Sequence, residues 1–226
     1  DKIKKVRKKI REAAHRAKRK PEQITLLPVS KGQPLEKIKY FHKKGFNTFG
    51  ENRAQELQEK EQDLKNLDIS WHFVGHLQTN KVKYLLRMEE CKMIESLDSL
   101  RLAREINKRA QKNGKIMPLL VEINISGDEN KYGFEVDQTI EFLKKADKKY
   151  NNIDIRGLMT IVPYLDNPEE TRPYFRKLAE LKEKANKNEL NLTELSMGMT
   201  NDYQVAIEEG ATIVRIGTAL FGERKY

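Results

Sequence analysis

At 226 residues, 38% apolar and 35% charged, the chain is long enough to bury one sizeable core, and no apolar run approaches the roughly 18–20 residues of a bilayer-crossing helix. Its basic N-terminus lacks the continuous apolar stretch of a secretory signal. A single cysteine, Cys91, excludes an internal disulfide and any cysteine-built metal cluster, which fits a reducing, cytoplasmic setting and an inert core thiol. Nearly all of the formal net charge of +10 falls on residues 1–20, and the rest of the chain is close to neutral.

That basic segment has a pattern. Ile3, Val6, Ile10, Ala13, Ala14 and Ala17 recur at helical spacing, with Lys and Arg filling the other face. The spacing predicts a helix over 1–20 that lays its apolar stripe on the body. A nucleic-acid or anionic-membrane contact is the sharper alternative, weakened because no aromatic residue is interleaved to stack on bases.

From residue 24 onward short β-rich runs alternate with longer amphipathic stretches. Runs at 24–30, 48–50, 71–74, 93–95, 117–125, 155–159, 192–196 and 212–216 predict strands. Helical patterns lie between them at 34–45, 52–64, 79–87, 98–113, 136–150, 168–188 and 201–209, and a short helix is expected after Gly217. Pro34 and Pro168 suit first helical turns, Thr79 and Asp98 can act as N-caps, and Gly45, Gly114 and Gly210 suit C-terminal caps. The runs at 117–125 and 155–162 are almost continuously apolar, as strands covered on both faces are. Eight βα units on a chain of this length predict one domain over 1–226, a closed (β/α)8 barrel with an extra N-terminal helix. A doubly wound open sheet is the competing fold, and the runs at 48–50 and 93–95 are the shortest.

In such barrels chemistry gathers at the C-terminal ends of the strands. The first run ends in Ser30-Lys31-Gly32. A Lys at a barrel mouth loses hydration, which favours the free amine that attacks an aldehyde; a solvated surface Lys is the plain alternative. The last two runs end in Ser196-Met197-Gly198-Met199-Thr200 and Arg215-Ile216-Gly217-Thr218. Loops after the seventh and eighth strands recur as phosphate sites. Glycines admit the phosphate to the backbone, and the hydroxyls of Ser196, Thr200 and Thr218 add donors. Simple turn glycines are the alternative. Arg215, inside the mouth, needs an acceptor: a phosphate, a carboxylate, a ring nitrogen, or an internal partner such as Glu51 or Glu95. His72 and His76 straddle a strand and a loop, with no further ligands to complete a metal shell. Lys131, after the fifth strand, is either a surface Lys or a second amine near the mouth.

Six collinear stretches carry a resemblance: VSKGQP (29–34), FGEN (49–52), WHFVGHLQTNK (71–81), GLMT (157–160), LSMGMT (195–200) and VRIGTALFG (214–222). In these the chain resembles the YggS/PROSC family of pyridoxal phosphate homeostasis proteins along nearly its whole length. Thr79 and Thr200 stand where Ser is also common in that family. The resemblance implies a fold like the barrel domain of alanine racemase. It implies that Lys31 carries pyridoxal 5′-phosphate (PLP) as an internal aldimine and that Ser196, Gly198, Gly217 and Thr218 hold its phosphate. Arg215 then lies beside the pyridine nitrogen, and Asn52 lines the cofactor.

The family is not known for robust catalysis. An Arg partner can only donate, so it disfavours the protonated pyridine that makes PLP a strong electron sink. The second, β-rich domain that barrel racemases use is also expected to be absent, since the eighth unit runs out at Tyr226. The expected role is therefore a cytoplasmic, monomeric PLP carrier or buffer that supplies apo-enzymes, without metal, membrane or nucleic acid. A racemase-like PLP enzyme acting on amino acids is the alternative.

Overall fold

The computed structural model describes residues 1–223; residues 224–226, the end of the expected 1–226 unit, lie outside the described residues. The helices are α1 (Lys2–Arg16), α2 (Leu35–Lys43), α3 (Ala54–Asp63), α4 (Val82–Arg87), α5 (Leu100–Lys112), α6 (Val136–Lys149), α7 (Arg172–Asn186), α8 (Tyr203–Glu208) and α9 (Thr218–Phe221). The strands are β1 (Thr25–Pro28), β2 (Thr48–Glu51), β3 (Ser70–Phe73), β4 (Cys91–Leu97), β5 (Met117–Glu122), β6 (Ile153–Met159), β7 (Glu194–Ser196) and β8 (Ile213–Ile216).

All strand pairs are parallel, in the order β1-β8-β7-β6-β5-β4-β3-β2. The remaining seam, between β1 and β2, is joined by a single parallel bridge from Val29 to Gly50. There the Ser30 N–H donates to the Gly50 carbonyl at 2.9 Å, while the Val29 N–H donates to the Ile216 carbonyl at 2.9 Å. One short stretch after β1 therefore ties both neighbours and closes the ring, and the open-sheet alternative falls.

The bounds of every strand shift from expectation, and two of them show why. β4 covers Cys91–Leu97 rather than 93–95, with a register shift between Ile94 and Leu97. β5 stops at Glu122 rather than 125, because the chain beyond it pairs with its own loop: Phe134 N–H donates to the Glu122 carbonyl at 2.8 Å and Asn124 N–H to the Phe134 carbonyl at 2.9 Å. Two caps also differ. Ser99, not Asp98, caps α5, its hydroxyl accepting from Leu102 N–H at 3.3 Å. Thr79 opens a 3-10 turn, Thr79–Lys81, instead of capping α4. Gly45, Gly114 and Gly210 follow the caps of α2, α5 and α8, as expected.

Helix α1 buries Ile3, Val6, Ile10, Ala13 and Ala14 and packs on α8 and α9. Those two helices are only six and four residues long, so α1 completes the outer layer where the barrel's own helices are short. Arg16 fastens it to Glu208 at 2.7 Å, and Arg19 donates to the Ile207 carbonyl at 2.8 Å. Each buried aliphatic side chain on such a face contributes roughly 1.5–3 kcal/mol.

Inside the ring the side chains form layers. Leu27, Met93, Leu120, Met159 and Ile213, with Val74 against them, make an apolar cluster contributed by strands all around the barrel. Two residues further along three of these strands stand Glu95, Glu122 and Arg215, all buried. A step of two keeps a side chain on the same face of a strand, so a polar layer sits directly on the apolar one, toward the C-terminal ends. A larger core, with Phe49, Trp71, Phe73 and Phe175 fully buried, fills the space between strands and helices.

Candidate functional site

The polar layer is wired through one hydroxyl. Arg215 donates from Nη1 to Ser196 Oγ at 2.7 Å and from Nη2 to the Thr160 carbonyl at 2.7 Å. Ser196 Oγ donates in turn to Glu95 Oε2 at 2.5 Å, and His72 Nδ1 donates to Glu95 Oε1 at 2.7 Å. Burial pushes the Glu95 carboxyl up, but the hydrogen bond and charge of His72, the charge of Arg215 and the Ser196 hydrogen bond outweigh it and hold the group below its ordinary value. The expected partnership of Arg215 with an internal acid is thus met by Glu95 through Ser196, not by a direct ion pair, and Glu51 takes no part in it. Glu122 faces the same space. Burial, reinforced by the charge of Asp98, raises its carboxyl to about 7 against the pull of Arg215.

The two loops expected to cradle a phosphate meet at the rim. Ala219 N–H, in the first turn of α9, donates to Thr200 Oγ1 at 3.2 Å, joining the loop after β7 to the one after β8. Thr218 is exposed and Gly217 partly so. Gly198 lies deeper, with φ +91°; a Cβ there would meet Ala206 Cβ at 2.6 Å and Tyr203 Cα at 2.9 Å, so only glycine lets the loop pack under α8. Ser196 is fully buried and its hydroxyl is engaged with Glu95 and Arg215. At the rim itself the hydroxyls come from Thr200 and Thr218.

Lys31 is partly buried, at the C-terminal end of β1. Its neighbours hold the turn around it: Gln33 N–H donates to the Ser30 carbonyl at 2.9 Å, and Gly32 takes φ +66°. Asn52, just after β2, is half-buried. It abuts Gly75, where an added Cβ would fall on the Asn52 backbone. His76 and Asp98 are joined at 2.8 Å, and Tyr132 stacks on His76 with ring centroids 3.7 Å apart. That stack brings the loop after β5 over the loop after β3. Lys131, next to Tyr132, has a buried Nζ with no hydrogen-bond partner among the described residues, which sets it apart from a solvated surface Lys.

Sequence reasoning missed three parts of this arrangement: the His72–Glu95 pair, Glu122, and the buried Lys60 of α3, which bonds Glu51 of β2 and the Ser30 carbonyl. Lys60 had a visible signal, since it shares the buried stripe of α3 with Ala54 and Leu57. Among the described residues no group of three His, Cys, Asp or Glu side chains is placed to hold a metal ion, and no helix is long and apolar enough to cross a membrane.

This closed parallel barrel, with a lysine after its first strand and a buried arginine on its last, is of the alanine racemase N-terminal type. The family model described as "Alanine racemase, N-terminal domain" matches residues 2–225. An alanine racemase of Clostridium difficile shares the fold at a TM-score of 0.70 and 17% identity, over 96% of this chain and 56% of that one. The chain is 49% identical over 227 residues to the pyridoxal phosphate homeostasis protein of Aquifex aeolicus, covering 100% of this chain and 98% of that relative. The structure of PipY from Synechococcus elongatus with PLP bound matches at a TM-score of 0.82 and 33% identity, over 94% of this chain and all of that one. The chain belongs to the YggS/PROSC family of pyridoxal phosphate homeostasis proteins.

Proposed function

We propose that this protein binds PLP through a Schiff base at Lys31 and serves in PLP homeostasis as a carrier or buffer. The observation that carries the reading is the pairing of the first strand with the last. Pro28 stands in register with Ile216, and a Cβ on Gly217 would lie 3.6 Å from the Val29 carbonyl oxygen. Lys31 thus follows directly on the stretch that touches the 217–218 loop. Val29, two residues before Lys31, shares the inner face with Leu27, since a Cβ on Gly50 would lie 3.2 Å from Val29 Cγ2 and 3.3 Å from Leu27 Cδ2.

The residues fit the group. Lys31 supplies the amine for the aldehyde. The backbone of Gly217 and Thr218 and the hydroxyls of Thr200 and Thr218 suit the phosphate. Gly198 shapes the loop that presents Thr200, and Ser196 serves by holding Arg215. Arg215, held through Nη1 by Ser196 and through Nη2 by the Thr160 carbonyl, suits the pyridine nitrogen as a donor, and Asn52 suits the lining of the mouth. PLP, when bound, supplies a reactive aldehyde and an electron-poor ring. A guanidinium beside the ring nitrogen would disfavour its protonation, so the site suits holding the group rather than driving turnover of an amino acid at that substrate's α-carbon. Recipients are apo PLP enzymes, and the setting is cytoplasmic and monomeric, with 1–226 acting as one unit. Lys131, a buried amine in the loop over the mouth, is the second amine in this scheme.

The test is spectroscopic. Purified protein mixed with PLP is expected to gain an imine absorbance, borohydride to fix the adduct on a peptide containing Lys31, and Lys31→Ala to lose both. A colourless wild-type protein, or an adduct mapped to another lysine, sinks the reading. Exchange of an amino acid's α-proton at enzymic rates, lost in Lys31→Ala, would instead establish the racemase-like alternative.

A further inference from the structure

Behind the barrel wall, on the side away from Leu27, lies a buried charge cluster. Lys60 of α3 and Glu51 of β2 have side chains 7% and 0% exposed, and their Nζ and Oε1 are 2.6 Å apart. The same Nζ donates to the Ser30 carbonyl at 2.8 Å and to Glu56 Oε1 at 2.7 Å. Glu56 Oε1 also accepts the Gly32 N–H at 2.6 Å, and Ser30 Oγ donates to Glu51 Oε1 at 2.6 Å. The residues before and after Lys31 are therefore both gripped from α3, through an ammonium and a carboxylate that are bonded to each other.

Burying such charges is costly, and a helix could fill the space with an apolar side chain at lower cost. What an apolar residue cannot do is fix a backbone carbonyl and, through Glu56, the amide two residues later. We infer that Lys60 is a positioning residue for the Lys31 turn, holding Lys31 at the angle from which its amine meets a carbonyl carbon. The inference rests on the PLP reading above. Attachment replaces the aldehyde C=O by C=N, expels the oxygen as water and requires the Lys31 ammonium first to release a proton to solvent. Its rate depends on the approach geometry that the turn sets.

The whole chain is used in the test. Wild type, Lys60→Arg, Glu56→Ala and the double variant Glu51→Gln/Lys60→Met, which removes both buried charges together, are mixed with PLP, and growth of the imine absorbance is timed across neutral to mildly alkaline pH. Binding of pyridoxamine 5′-phosphate, which has no aldehyde, is measured alongside. The expected result is imine formation slowed by about tenfold or more in the double variant, less in Glu56→Ala, partly restored in Lys60→Arg, with pyridoxamine 5′-phosphate bound as in wild type. Unchanged rates in the folded double variant, or in Glu56→Ala should the double variant not fold, overturn the inference. So does a parallel fall in pyridoxamine 5′-phosphate affinity, which marks a general loss of structure. A wild-type protein that forms no imine at all sinks the PLP reading itself, a separate outcome.

Discussion

Ser196 holds Arg215 and Glu95 together on one oxygen, accepting from Arg215 Nη1 at 2.7 Å and donating to Glu95 Oε2 at 2.5 Å. A buried cation and a buried anion are thereby coupled without touching. Ser196→Ala leaves each with one hydrogen bond fewer in a site that water does not readily reach. We expect a loss of about 1–3 kcal/mol in denaturant-unfolding stability. A change below about 0.5 kcal/mol would mean that the relay is not structurally significant.

The rim hydroxyls predict a selective effect. Thr200→Ala and Thr218→Ala are each expected to weaken PLP binding by about fivefold, the equivalent of one hydrogen bond of about 1 kcal/mol. Affinity for pyridoxal, which carries no phosphate, should stay the same. Equal losses for both ligands would show that the threonines act on loop structure instead.

Glu122 gives a pH dependence. Its carboxyl is raised from 4.5 to about 7 in the folded chain, with burial as the main cause and Asp98 second. The native state therefore holds a proton that the unfolded chain gives up earlier, so the stabilisation is complete below about pH 4.5 and is lost as pH rises toward 7. Over that window the contribution is on the order of 1–3 kcal/mol. Glu122→Gln should flatten this part of the stability profile, as read from unfolding midpoints at matched ionic strength. A variant that retains the wild-type slope assigns the dependence elsewhere.

Gly75 is the tightest backbone contact at the mouth, since any side chain there would fall on the Asn52 backbone. Gly75→Ala must push the loops after β2 and β3 apart. The expected cost is about 1–3 kcal/mol of stability, with weaker PLP binding because Asn52 is displaced. Thermal unfolding and a PLP titration of the same sample check both. A variant matching wild type in both would show that the two loops separate without strain.

Much of the architecture was legible in the chain alone. The alternation of apolar runs with amphipathic stretches marked eight strands and their helices, since a strand covered on both faces and a helix covered on one leave different periods in the sequence. The stripe from Ile3 to Ala14 placed α1, and the motifs at 29–34, 195–200 and 214–222 placed the loops of the site. Element ends were less legible. β5 stops at Glu122 because Phe134, twelve positions on, takes its backbone pairing, and Asp98 gives up a cap to bond His76.

What the sequence by itself determined was the order of strands and helices and which loops follow the strands, because both follow from local periodicity and turn chemistry. Only the tertiary structure decided which of them meet. Closure of the ring sets β1 beside β8, so Lys31 and Thr218, nearly a chain length apart, share one rim. Depth within the barrel decides that Ser196 spends its hydroxyl on Arg215 and Glu95, while Thr200 stands at the rim. The packing of α3 against β2 brings Lys60 to the turn after β1 and turns it from one charge among many into the support of that turn. The physical reason is that burial removes water as a hydrogen-bond partner, so each enclosed polar group must find its complement on whatever strand or helix the fold brings alongside.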